Sequence, residues 1–152
     1  MQDLRGWSRD DPRIDKVEEK LLDSWRGLKK AADTNRDQQI NLAEWSSYWE
    51  KTIQDIQNGR TFPEIAPWLE YYIDFLFEMM DCSGDGFIDE AEYVKMSRHF
   101  GLHMEGAKEA FTKFGAEKIS REHFEKLWIE FMTSENVEDP GNYLFGDPKC
   151  NI

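Results

Sequence analysis

The sequence predicts an all-α protein assembled from three helix–loop–helix units. Two observations carry this reading: apolar residues recur at spacings of three and four over most of the chain, and polar breaks rich in Asp, Asn and Gly interrupt that pattern. A third is the lack of any apolar–polar alternation long enough for more than a very short strand.

The first helix is expected from about residue 13 to 32, where Ile14, Val17, Leu21, Trp25 and Leu28 form one stripe. A polar break, 33–41, follows. Leu42, Trp45, Trp49, Ile53 and Ile56 then resume the stripe until Asn58-Gly59 stops the second helix. Pro63 and Pro67 bracket a connector, and Pro67 suits the first turn of a new helix.

That helix, about 67–80, is apolar on more than one side through Trp68, Leu69, Tyr72, Ile73, Phe75, Leu76, Phe77, Met79 and Met80. Such a helix belongs in a core or under a partner. A break with two glycines, 81–86, precedes a helix carrying Tyr93, Val94, Ser97 and Phe100 that ends at Gly101. The last pair is expected at about 104–114 and 120–133, with Ser120 as a cap. Pro140, Gly141, Gly146 and Pro148 make the tail irregular, yet Tyr143-Leu144-Phe145 is apolar enough that the tail should dock. These boundaries imply an N-terminal lobe, 1–62, with one unit around loop 33–44. The C-terminal lobe, 63–152, then holds loops 81–92 and 112–123 and the tail.

Composition limits the functions available. With 39% hydrophobic and 14% aromatic residues the chain can build a core, so wholesale disorder is excluded. A formal net charge of −12 disfavours phosphate backbones and anionic lipid as partners and favours cations. Cys82 and Cys150 make no disulfide framework, Met1–Arg13 lacks the apolar stretch of a signal peptide, and no run of about 18 apolar residues occurs. A cytoplasmic protein with free thiols is therefore expected, without membrane insertion.

Loop 81–92 carries the strongest chemical signal. Calcium takes six to eight oxygens, and a 12-residue loop delivers them from alternate positions. Asp81, Ser83 and Asp85 offer side-chain oxygens at the first, third and fifth positions, and Phe87 offers its carbonyl at the seventh. Asp89 serves the ninth position and Glu92 closes the loop with both carboxylate oxygens, while Gly86 permits a left-handed turn at the sixth.

Loop 33–44 repeats the layout with Asp33, Asn35, Asp37, Asn41 and Glu44 as side-chain donors and Gln39 as the carbonyl donor. Gln38 stands where glycine belongs. A left-handed conformation there costs roughly 1–2 kcal/mol, about a tenfold loss of affinity, so the tighter site is expected at 81–92.

The third loop, 112–123, keeps Ile119 at the place of Ile40 and Ile88 but offers Thr112, Phe114, Ala116 and His123 where oxygens are needed. It reads as a degenerate unit that pairs with its neighbour through a short two-stranded contact. His99 and His103 have a zinc-like spacing but no third ligand, and surface histidines are the better reading. Cys82 lies beside carboxylates, which favours the unreactive thiol. No nucleophile–base pair is evident, so no catalysis is expected.

The two loops, Trp45 and Trp49, Lys126-Leu127-Trp128 and the Gly141-Asn142-Tyr143-Leu144-Phe145-Gly146 tail together resemble the invertebrate sarcoplasmic calcium-binding proteins, calexcitin among them, which are EF-hand proteins. The resemblance spans about Gly6 to Gly146 and implies calcium buffering or sensing, with Mg2+ competing at some sites. By resemblance the twelve residues named above carry over as ligands, Asn41 and Asp89 the least directly.

Family members have four hands, so the resemblance implies a chain lacking the first. Loop 33–44 would then have an unpaired segment at Ile40, an edge that invites self-association or a target protein. Two further roles compatible with the pattern are a calcium-dependent regulator of a target protein and a ligand-holding relative of the bioluminescence proteins of this architecture.

Overall fold

The computed structural model describes residues 12–99 and 101–146. Phe100, Cys150, Pro148 and the segment 1–11, which figure in the expectations above, lie outside the described residues. The chain divides into two compact units, with the divide between Phe75 and Leu76.

In the first unit, α1 spans Pro12–Ala32 and α2 spans Leu42–Gln57. Asp15 in the first turn of α1 and Lys29 and Lys30 in its last complement the helix dipole. Asn41 caps α2 reciprocally: its side chain accepts the Glu44 N–H, and Glu44 accepts the Asn41 N–H. The short helix α3, Phe62–Ile65, falls where only a connector was expected, and α4 runs Pro67–Met80, as the apolar run predicts.

The core of this unit gathers Val17, Ala32, Ala66, Trp68, Leu69 and Ile73, all buried. The Trp68 indole donates to the Tyr48 hydroxyl at 2.6 Å. The Trp49 ring meets Tyr48, Trp45 and Trp68 edge-on at 5.3, 5.4 and 6.0 Å, the arrangement that ring quadrupoles favour. Thr52, buried within α2, returns its hydroxyl to the Tyr48 carbonyl at 2.9 Å.

Three members of the predicted stripe depart from expectation. Trp25 is 46%, Trp45 39% and Leu42 79% exposed. With Leu28, Ile40 and Asn41 they line a cleft of about 400 Å3 beside the loop. Periodicity puts them on one face, but no described residue covers it fully.

In the second unit, β1 (Phe87–Asp89) leads into α5 (Glu90–His99), and α6 spans Met104–Lys113. Then β2 (Lys118–Ser120) leads into α7, Arg121–Thr133. The strands pair antiparallel with Phe87 opposite Ser120, Ile88 opposite Ile119 and Asp89 opposite Lys118. Both isoleucines are buried, so the expected two-stranded contact between loops is present. Ser120 caps α7 by accepting the His123 N–H at 3.2 Å. Behind the strands, Tyr93 packs against Phe111 and Phe114 at 5.6 and 5.2 Å.

The tail docks. A 3-10 turn at Pro140–Tyr143 lies against α7, and Tyr143 and Leu144 are buried. The Tyr93 hydroxyl donates to the Tyr143 and Leu144 carbonyls, each at 3.1 Å. Burial pushes that phenol up to about 12. Gly141 allows the approach: a Cβ there would stand 2.5 Å from the Leu127 carbonyl oxygen and 2.6 Å from the Phe131 nitrogen.

Gly106, inside α6, has nothing within 4 Å of an added Cβ. Gly141→Ala is therefore expected to destabilise the protein by about 1–3 kcal/mol, and Gly106→Ala to stabilise it by about 0.5–1 kcal/mol. Urea unfolding of both variants checks this; an unchanged midpoint for Gly141→Ala would contradict a tightly docked tail.

Candidate metal centre

Each loop is built around a carboxylate at its first position that turns back onto its own backbone. Asp81 is buried; its Oδ1 accepts the N–H groups of Gly84 at 2.7 Å and Asp85 at 3.2 Å, and its Oδ2 accepts Gly86 N–H at 3.0 Å. In loop 33–44 the Oδ2 of Asp33 accepts the Gln38 N–H at 2.9 Å, while its Oδ1 is buried without a hydrogen-bond partner.

These turns require left-handed backbone. Gly84 and Gly86 have φ of 76° and 84°, and Arg36 and Gln38 stand at 62° and 70° in the matching places. Gln38 at the sixth position is the strained residue that the spacing predicts; Arg36 at the fourth is a second, signalled in the sequence only by Gly84 at the corresponding place. Both non-glycine residues accept a conformation that costs roughly 1–2 kcal/mol each.

The twelfth position closes each loop. Glu92 is buried and accepts the Ser83 N–H at 2.7 Å and the Asp89 N–H at 3.2 Å, while Asp89 accepts the Glu92 N–H at 2.9 Å. Glu44 is likewise buried and more fully bonded. Its Oε1 accepts the Thr34 hydroxyl at 2.9 Å and the Thr34 and Asn35 N–H groups at 3.0 and 3.2 Å. Its Oε2 accepts the Asn41 N–H at 3.2 Å and side-chain amide at 2.8 Å. The Asn41 N–H, then the Thr34 hydroxyl, hold its carboxyl below the ordinary value of 4.5.

The third and fifth positions complete the rings. Ser83 Oγ lies 3.3 Å from Asp81, and Asn35 bonds Asp37 through both its amide nitrogen (3.0 Å) and its oxygen (2.8 Å to the Asp37 N–H). Asp37 and Asp85 accept the N–H of Gln39 and Phe87 at 2.8 and 2.9 Å. Gln39 is exposed, and Phe87, in β1, is 42% exposed. Asp85 also pairs with Lys118 at 2.6 Å, a partner that sequence reasoning missed.

Among the described residues, no three His, Cys, Asp or Glu side chains are gathered into a ready metal cluster; His99 bonds the Lys95 carbonyl at 3.0 Å instead. The donor set of both loops is nonetheless all oxygen, the chemistry of a hard cation, and the buried Oδ1 of Asp33 is an acceptor without a hydrogen-bond partner. The residues present fit such an ion. Loop 112–123 does not: Ser120 caps α7, and His123 replaces the closing glutamate.

Paired helix–loop–helix units of this geometry define an EF-hand protein. No protein-family profile matches the chain. It is 31% identical over 148 residues to sarcoplasmic calcium-binding proteins I, III and IV of Branchiostoma lanceolatum, covering 95% of this chain and 78% of theirs. It is 32% identical over 129 residues to calexcitin-1 of Caenorhabditis elegans, covering 80% of this chain and 59% of that protein. The solved structure of a sarcoplasmic calcium-binding protein from amphioxus matches with a TM-score of 0.76 at 29% identity, over 90% of this chain and 74% of that one. The chain belongs to the sarcoplasmic calcium-binding protein family.

Because the Glu44 carboxyl is held low, its contribution to stability is present above 4.5 and is lost as pH falls through the lowered value. A carbon-detected NMR titration should find Glu44 protonating below 4.5; a value at or above it would contradict the bonding described for loop 33–44.

Proposed function

We propose that this chain binds Ca2+ at loops 33–44 and 81–92 and serves as a cytoplasmic calcium buffer or sensor, with Mg2+ competing at one or both sites. The observation that carries the reading is the inward-turned carboxylate at the first and twelfth positions of each loop, over left-handed backbone at the fourth and sixth.

In loop 81–92 the ligands are Asp81, Ser83, Asp85, the Phe87 carbonyl, Asp89 and Glu92; in loop 33–44 they are Asp33, Asn35, Asp37, the Gln39 carbonyl, Asn41 and Glu44. A bound ion supplies positive charge that offsets the crowding of carboxylates. The chain's part is to hold the donors: the loop amides orient Asp81 and Asp33, and the capping bonds at Asn41 and Asp89 seat each closing glutamate at the start of its helix. Loop 81–92 has more carboxylates and glycine at both left-handed positions, which supports tighter binding there. Catalysis has no place in this reading. No helix of the described residues is long and apolar enough to cross a membrane.

A second reading, contact with another copy or a target protein, is favoured by the cleft at Trp25, Ile40, Leu42 and Trp45. Light scattering with and without calcium checks it; a strict monomer in both conditions, with no hydrophobic-dye binding, would remove it.

Calorimetric titration with calcium, with and without millimolar magnesium, should resolve two sites. Glu92→Gln should abolish the tighter one or weaken it by at least tenfold, because the amide loses the charge and the two-oxygen clamp. Gln38→Gly should tighten the weaker site by up to about tenfold by relieving the strained backbone. No heat and no bound calcium at millimolar supply would end the proposal.

A further inference from the structure

We infer that Lys118, carried by the degenerate loop 112–123, is a built-in cationic competitor that lowers the cation affinity of loop 81–92 and sets the concentration at which it fills. The inference rests on the calcium reading of that loop and concerns its regulation.

The placement is made by the strands. Lys118 begins β2 directly opposite Asp89 in β1, so backbone pairing, not a chance side-chain encounter, brings its amine to the loop. Its Nζ lies 2.6 Å from Oδ2 of Asp85, the fifth-position donor, and 5.8 Å from the centre of the Phe87 ring. Asp89 and Glu92 add to the field that favours its charged form. A lysine is thus held on one of the loop's carboxylates, Asp85, from the strand position opposite another, Asp89. The same loop that has lost its own donors supplies this positive charge.

Two effects of opposite sign compete. Lys118 fixes the Asp85 rotamer, which would aid binding, and it places a unit charge near the seat of a divalent ion, which would oppose it. Fixing one half-exposed side chain is worth little, because exposed pairs hold weakly. Repulsion between a unit charge and a double charge a few ångströms apart is larger even when partly screened by water. Repulsion wins.

The test is calcium calorimetry on the full chain and its Lys118→Met and Lys118→Arg variants. Methionine keeps an unbranched stem over Phe87 without the charge; arginine keeps the charge. Lys118→Met should tighten the loop 81–92 site roughly three- to tenfold, and Lys118→Arg should stay within about twofold of the parent. The gain should be larger for Tb3+ than for Ca2+, read by calorimetry with each ion, because repulsion scales with ion charge. Unchanged or weaker binding in Lys118→Met, or an equal gain for both ions, would overturn the inference while leaving calcium uptake intact. A parent chain that takes up no calcium would instead overturn the reading on which it rests.

Discussion

A glutamate drawn back onto the amides of its own loop is the constraint around which the rest is arranged. A buried carboxylate is costly unless it is hydrogen-bonded, and Glu44 and Glu92 offset that cost with donors from the start of the loop and from the cap of the next helix. The bonds tie the two ends of each loop together. Because the glutamate is also the third residue of its helix in both loops, its position decides the direction in which that helix leaves. His123 cannot act this way, since an imidazole lacks the two acceptor oxygens, and the third loop is ordered by strand pairing and by Ser120 instead.

That pairing explains why a loop without ligands persists. Ile88 and Ile119 are both buried, and a lone strand at 87–89 would leave amides and carbonyls without partners. The degenerate loop gives β1 a partner and gives the helices behind it a shared aromatic core of Tyr93, Phe111 and Phe114. Its ligand positions were free to change because its structural role uses the backbone and one isoleucine.

Much of the helical layout was legible, because a 3.6-residue period and the Pro67 and Ser120 signals are local properties of the chain. Helix α3 was not, since Pro63 reads as a breaker although proline is tolerated in a first turn. The exposure of Leu42 and Trp25 was illegible for a different reason: periodicity names a face but not what covers it. The inward-turned carboxylates at the first and twelfth positions of both loops could be read from spacing alone, and the left-handed Gln38 from Gly86 in the matching loop. The Lys118–Asp85 pair could not. It joins residues 33 apart and exists only through the register of two strands.

Glu92 and Tyr93 are consecutive, and they face different tasks: one shuts a loop, the other grips the tail carbonyls at 143 and 144. Both stand on the hydrogen-bonded backbone of α5, which turns as one body. A rotation of α5 that repositioned the carboxylate would carry the phenol with it, so the grip on the tail resists any reorientation of the loop's closing residue.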